Sequence, residues 1–154
     1  MSLFLVRHAK AGKRSKWDDD DSLRPLVEEG VRQAEVIAAS ISPLQPTALY
    51  SSPFLRCVQT LEPLGKATGL SVVKHELLAE GVDFTGTVDW MHTLADGAVM
   101  CSHGDVIPEV IDALERRGME VSGFRESRKG SVWVLERHKG SFTGGHAWPP
   151  PRFE

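Results

Sequence analysis

Short apolar runs of four or five residues recur along this chain, and segments with a helical period lie between them. The runs occupy residues 3–6 (Leu-Phe-Leu-Val), 48–51, 70–73, 98–101 and 131–135. Short runs bounded by turn residues read as strands, and continuous ones as strands buried on both faces. Between the first two runs, Val27, Val31, Ala34, Ala38 and Ile41 recur at three- and four-residue spacing, the stripe of an amphipathic helix that Pro43 and Pro46 close. Ser52 and Pro53 are expected to open a second helix as cap and first residue, with Leu55, Val58 and Leu61 on its apolar side. Pro63 is expected to kink it or end its first part, and Gly69 to stop it. A short helix is predicted over 83–95, and Val106, Val110, Ile111 and Leu114 share the face of a last one. Strands alternating with helices predict an α/β fold, a three-layer α/β/α sandwich around a mostly parallel central sheet. One domain is expected over 1–154, with its core in 1–137 and an irregular tail over 138–154, and with no room for a large cap over the sheet.

The chain has 154 residues and a formal net charge of -3, without the basic excess of a general nucleic-acid binder. Two cysteines, Cys57 and Cys101, form neither a zinc-ribbon spacing nor a disulfide framework. No apolar run approaches a membrane span, and residues 1–7 do not read as a signal peptide. A cytoplasmic protein is the expectation, with the oligomeric state left open.

In such sheets ligands sit beyond the carboxyl ends of the strands. Two strand ends carry histidines here: Val6-Arg7-His8 and Cys101-Ser102-His103-Gly104. If those strands are adjacent and parallel, His8 and His103 face one crevice with Arg7. Arg56 enters from the first turn of the second helix. Two imidazoles and two guanidiniums in one crevice call for an anion, and a guanidinium matches phosphate oxygens two at a time. Backbone N–H groups near Pro53 to Arg56 would add a helix N-terminus to that anion hole. A neutral imidazole is a competent nucleophile toward phosphorus if its other nitrogen is held as N–H by an acceptor. Gly12 and Gly104 would leave room for close backbone approach.

These segments resemble a known family. Leu5-Val6-Arg7-His8-Ala9-Lys10-Ala11-Gly12 resembles the Arg-His signature of the histidine phosphatase superfamily, also called phosphoglycerate-mutase-like. Ser51-Ser52-Pro53-Phe54-Leu55-Arg56-Cys57-Val58-Gln59-Thr60 resembles its Ser-x-x-x-Arg-x-x-x-Thr helix, Ala79-Glu80 lies where many members carry an acid, and Ser102-His103-Gly104 resembles its second histidine segment. The length and residues 21–26 resemble the compact SixA-like branch, and also the phosphatase-like domain fused behind Nudix hydrolases in some actinobacteria. The resemblance covers about 1–137. It implies that His8 is the nucleophile and carries a phosphohistidine, that Arg7 and Arg56 clamp the phosphate, and that His103 stabilises the transferring group. It implies Arg24 as an extra phosphate-facing arginine, Gly104 and Asp105 beside the substrate, and no metal or organic cofactor. Ala9 stands where the common motif has glycine, as in other compact members. Glu80 is the first choice for the proton donor, Asp105 the second, and water or the substrate itself the third.

The expected activity is that of a metal-independent phosphomonoester or phosphohistidine hydrolase. Its partner would be a phosphorylated protein or a small phosphorylated or nucleotide substrate, with no nucleic acid and no membrane. A mutase is disfavoured for want of an enclosed pocket. The alternative is a non-catalytic phosphate or phosphoprotein binding module on the same fold. Asp18 to Asp21 are read as a solvated loop rather than a cation site, in a charged stretch with Lys10, Lys13, Arg14 and Lys16. Cys57 and Cys101 are read as packing, and His75, His92, His138 and His146 as structural or exposed. Trp17 and Trp90 are placed at the crevice mouth, Trp133 in the core and Trp148 against the tail.

Overall fold

The computed structural model describes residues 1–153. Seven strands form one sheet: β1 (Ser2–Arg7), β2 (Ala48–Ser51), β3 (Val72–Lys74), β4 (Ala98–Ser102), β5 (Glu120–Val121), β6 (Val132–His138) and β7 (Ser141–Trp148). Four helices pack on it: α1 (Glu28–Ile41), α2 (Leu55–Thr68), α3 (Phe84–Met91) and α4 (Val106–Arg116). The strand order is β3-β2-β4-β1-β6-β7-β5. The half from β3 to β1 is parallel. β6 is antiparallel to β1 and to β7, and β5 is parallel to β7, so the sheet is mixed beyond β1.

β1 shows why this is a three-layer sandwich. Leu3 and Leu5 pack with Val88 and Met91 of α3 and Val110 and Ile111 of α4. Phe4 and Val6 pack with Ile37 and Ile41 of α1 and Leu61 and Leu64 of α2. Alternate side chains therefore enter opposite helical layers. All four are at most 2% exposed, and burial of each contributes about 1.5–3 kcal/mol. Among the described residues no helix is long and apolar enough to cross a membrane.

Several local expectations need correction. The buried face of α1 comprises Gly30, Gln33, Ala34, Ile37, Ala38 and Ile41, while Val31 is 42% exposed, so the stripe is rotated from the one drawn through Val31. Gly30 is required on that face, because a Cβ there would collide with the backbone carbonyl of Lys10. α2 begins at Leu55 rather than Pro53, without a side-chain cap, and Pro63 does not end it. Gly69, in the left-handed region, does. The 83–95 helix is shorter, with Asp83 capping it through Thr85 N–H.

The tail is not irregular. The fifth predicted strand continues to His138, turns through Lys139 and Gly140, both at positive φ, and returns as β7. Two consecutive left-handed residues are the hairpin geometry that matches strand twist. Gly144 and Gly145 hid the strand. A Cβ on Gly145 would lie 3.0 Å from Met119 Cε, so the glycine lets the chain packed around β5 approach closely.

Candidate active site

β1 and β4 pair in parallel with Arg7 opposite Ser102, so His8 and His103 leave adjacent strands side by side. The His8 N–H donates to the Ser102 carbonyl at 3.1 Å, which carries the ladder one residue past β1. The two ring centroids lie 5.5 Å apart.

His8 is 4% exposed. Its Nδ1 lies 2.8 Å from the Ala9 carbonyl oxygen, which can only accept, so Nδ1 carries the proton. Nε2 is left as a free lone pair. Burial pushes the imidazole pKa down to about 3; the bond to Ala9 opposes this, and the neighbouring His103, Arg56 and Arg7 add to it. His8 is therefore neutral at pH 7.

His103 is held the other way round. Its Nε2 is 2.7 Å from Ser52 Oγ and 3.6 Å from Cys57 Sγ. Ser52 Oγ accepts the Phe54 N–H at 3.2 Å and keeps a proton and a second lone pair, so it can serve either tautomer of His103; a ring that offers Nδ1–H to an anion takes the Ser52 proton on Nε2. In that tautomer Nδ1 carries a proton, and it is buried without a partner. Two other buried donors have no partner, Arg7 Nε and Arg56 Nε. All three belong to residues the sequence assigned to a phosphate site. Orphaned buried donors are uncommon in folded proteins, and three together mark a place prepared for an acceptor.

A cavity of about 520 Å³ lies over these groups, and seven of its thirteen lining residues are Lys or Arg. Arg7, His8, Arg24, Arg56, Glu80, Gly104 and Asp105 all line it, with His103 buried beside His8. Arg7 packs flat on Gly104, where a Cβ would sit 2.6 Å from Cζ, and it donates from Nη1 to the Ser127 carbonyl. Burial lowers the Arg7 pKa and the Asp105 carboxylate opposes this; the group stays charged. Arg56 has a side chain 1% exposed; it donates to the Asp21 carbonyl at 2.9 Å, to Asp21 Oδ2 at 3.1 Å and to Glu80 Oε1 at 3.4 Å. Arg24 donates to Asp21 Oδ1 at 3.0 Å and to the Gly12 carbonyl. Asp21 thus spaces two arginines; burial pushes its carboxyl up, but Arg24 and Arg56 outweigh that and hold it below the usual range. Arg14 reaches Glu80 Oε1 at 3.1 Å, and Asp105 Oδ2 accepts the Gly81 N–H at 2.8 Å.

Some expectations fall away. The start of α2 supplies the Arg56 side chain; of the backbone donors expected there, the Phe54 N–H is already bonded to Ser52 Oγ. Nothing lies within 4 Å of a Cβ built on Gly12, so close approach does not require that glycine. Trp90 packs on Tyr50 and His75, and neither it nor Trp17 lines the cavity. Asp20 caps its own turn through Ser22. Cys57 lies in the core and also touches His103.

Lys129 and Ser52's bond to His103 were not foreseen. Lys129 comes from the loop before β6, which runs antiparallel to β1 and so delivers that loop to the end of β1. The Gly130 N–H bonds to the Arg7 and His8 carbonyls. Burial lowers the Lys129 ammonium pKa, and the charges of Arg7, Arg24, Arg56 and Arg14 lower it further.

Residues 3–87 match the model of the histidine phosphatase superfamily, branch 1. The chain belongs to that superfamily. The match contains Arg7, His8, Arg24, Arg56 and Glu80; His103 lies beyond it. The chain is 33% identical over 156 residues to the 8-oxo-(d)GTP phosphatase of Mycolicibacterium smegmatis, covering 97% of this chain and 48% of that protein. It is 27% identical over 152 residues to phosphoserine phosphatase 1 of Hydrogenobacter thermophilus, covering 96% of this chain and 57% of that one. The chain thus spans about half the length of these curated relatives. The structure of the protein histidine phosphatase SixA complexed with tungstate superposes with a TM-score of 0.76 at 21% identity, over 93% of each chain. That likeness establishes the fold, an α/β sandwich without a large cap.

Proposed function

We propose that this histidine-phosphatase-family chain is a metal-independent phosphatase that works through a covalent phosphohistidine on His8. The observation that carries the reading is the wiring of His8: Nδ1–H is held by the Ala9 carbonyl, and Nε2 is left as a lone pair in a cavity rich in cations.

In this mechanism His8 Nε2 forms a bond to phosphorus while the bond from phosphorus to the leaving oxygen breaks. Arg7, Arg24, Arg56 and the His103 Nδ1–H donate to the phosphoryl oxygens, where charge accumulates in the transition state. Glu80 gives a proton to the leaving oxygen and takes one from the water that then attacks phosphohistidine. Its Oε1 is held by Arg14 and Arg56. Asp105 fixes the turn after Glu80 through Gly81 and is a positioning residue. The substrate is a phosphomonoester or a phosphohistidine. The relatives' names add a nucleotide phosphate and phosphoserine to the substrates worth testing.

Steady-state rates on p-nitrophenyl phosphate, together with vanadate binding, test the reading. His8→Ala should lose at least about 10⁴-fold in kcat, the scale seen when a covalent nucleophile is removed, yet still bind vanadate. Equal rates for the two proteins would overturn the covalent mechanism. Vanadate binding by both with turnover by neither would favour the binding-module alternative.

A further inference from the structure

We propose that the groove next to the His8 cavity is a subsite for a second phosphoryl group, which makes a diphosphate the preferred substrate. The inference rests on the phosphatase reading for its chemistry, but its binding part stands separately.

A second cavity, about 540 Å³, opens beside the first, and Arg7, Lys10 and Lys129 line both. The two cavities share these three cationic side chains, so an anion in the second would be held by residues that also face a phosphoryl group at His8. Farther along stand Arg128, Arg152 and Phe153. The acids nearby are committed: Glu29 pairs with Lys10 at 3.5 Å, and Glu126 with Arg128. Among the described residues no carboxylate comes within 4.0 Å of the Lys129 ammonium.

Charge explains why one phosphoryl group does not suffice. Seven cationic side chains line the first cavity. Glu80 and Asp105 on its wall, Asp21 behind it and Glu29 on Lys10 provide four negative charges. The surplus is three, and a phosphoryl dianion leaves about one charge of it unbalanced. Of the three cations that line both cavities, Lys10 pairs with Glu29, while Arg7 and Lys129 have no ion-pair partner among the described residues; partial burial first and four arginines after it lower the Lys129 pKa. A second phosphoryl group supplies the missing charge at that place.

The chemistry agrees. With a diphosphate, His8 Nε2 bonds to the terminal phosphorus and the bridging P–O bond breaks. The electron pair stays on the bridging oxygen, which departs as an oxygen of a phosphate monoester. Water then attacks phosphohistidine, orthophosphate leaves, and the water's proton passes to solvent. A phosphate leaves without waiting for the proton an alkoxide needs. That suits a site where Glu80, on the cavity wall, is bonded by Arg14 and Arg56.

Calorimetric titration of the wild-type chain with methylphosphonate and methylenediphosphonate, neither hydrolysable, tests the subsite. The diphosphonate should bind at least about tenfold tighter, with the excess largely lost in Lys129→Gln and restored in Lys129→Arg. Equal affinities, or an excess unchanged in Lys129→Gln, would overturn the subsite. So would a Lys129-dependent gain seen only for a phosphopeptide with flanking glutamates, which would assign the groove to protein carboxylates. Hydrolysis of p-nitrophenyl phosphate by the same preparation separates the two claims. Turnover without the diphosphonate preference overturns the subsite alone; the preference without turnover overturns the phosphatase reading and keeps the subsite.

Discussion

The ends of β1 and β4 are neighbours, point the same way and each release a histidine, yet the two imidazoles are wired in opposite senses. His8 spends Nδ1 on the carbonyl of the next residue and keeps Nε2 as a lone pair. His103 spends Nε2 on Ser52 and keeps a buried Nδ1 without a partner, a proton donor in the tautomer the proposed mechanism uses. One ring offers electrons and the other offers a proton, 5.5 Å apart. Parallel pairing brings the two residues together; a backbone carbonyl and a serine from elsewhere decide what each does. Equivalence by motif is therefore not equivalence by chemistry.

The sharpest way to break this comparison is to exchange the losses. Loss of His8 should remove the nucleophile, whereas His103→Ala should still form phosphohistidine while losing about 10²–10³-fold in kcat/KM, the cost of one transition-state donor. Single-turnover labelling checks this, and a His103→Ala protein that takes no label would make the two rings equal partners. Next comes Gly104→Ala, whose Cβ would sit 2.6 Å from Arg7 Cζ. The guanidinium must shift, so kcat/KM should fall about 10²-fold. Thermal melting should show little change, because the displaced group is the end of a side chain; a large drop in Tm with normal turnover would contradict the Arg7 assignment.

Ser52→Ala should be milder. It leaves the nucleophile alone and frees the His103 ring, so kcat should fall about tenfold with KM little changed. Ser52→Thr should recover most of the loss, and no effect on kcat would remove Ser52 from the wiring. The smallest effect is on stability. His8 has a folded pKa of about 3, against about 6.5 when unfolded. Between those values the unfolded chain binds the extra proton, so stability rises with pH there and falls on acidification below about 6.5. The slope from this residue is at most about 1.4 kcal/mol per pH unit. Urea titrations from pH 4.5 to 7.5 should show a shallower slope in His8→Ala, and an unchanged slope would mean His8 is not buried as a neutral ring.

What could be read from residues alone was local. The run at 3–6 ends at Arg7-His8 because a buried strand must stop where charge begins, and Arg56 follows its strand at a spacing that returns it to the same crevice. Relations between distant segments were hidden. Lys129 reaches the cavity because β6 is antiparallel to β1, and no pattern in residues 125–130 carries that information. β7 was missed because Gly144, Gly145 and His146 break the apolar alternation, and the reason for the glycines lies across the sheet at Met119. Ser52 reads as a helix cap; it does accept the Phe54 N–H, but its hydroxyl also bonds a histidine 51 residues away.

Rapid-quench labelling with a ³²P phosphodonor, on wild type and His8→Ala, tests the central claim most directly. The account predicts acid-labile, base-stable label on the wild-type chain alone, decaying as orthophosphate appears. Orthophosphate release from wild type with no label at any time, or equal label on His8→Ala, would contradict it.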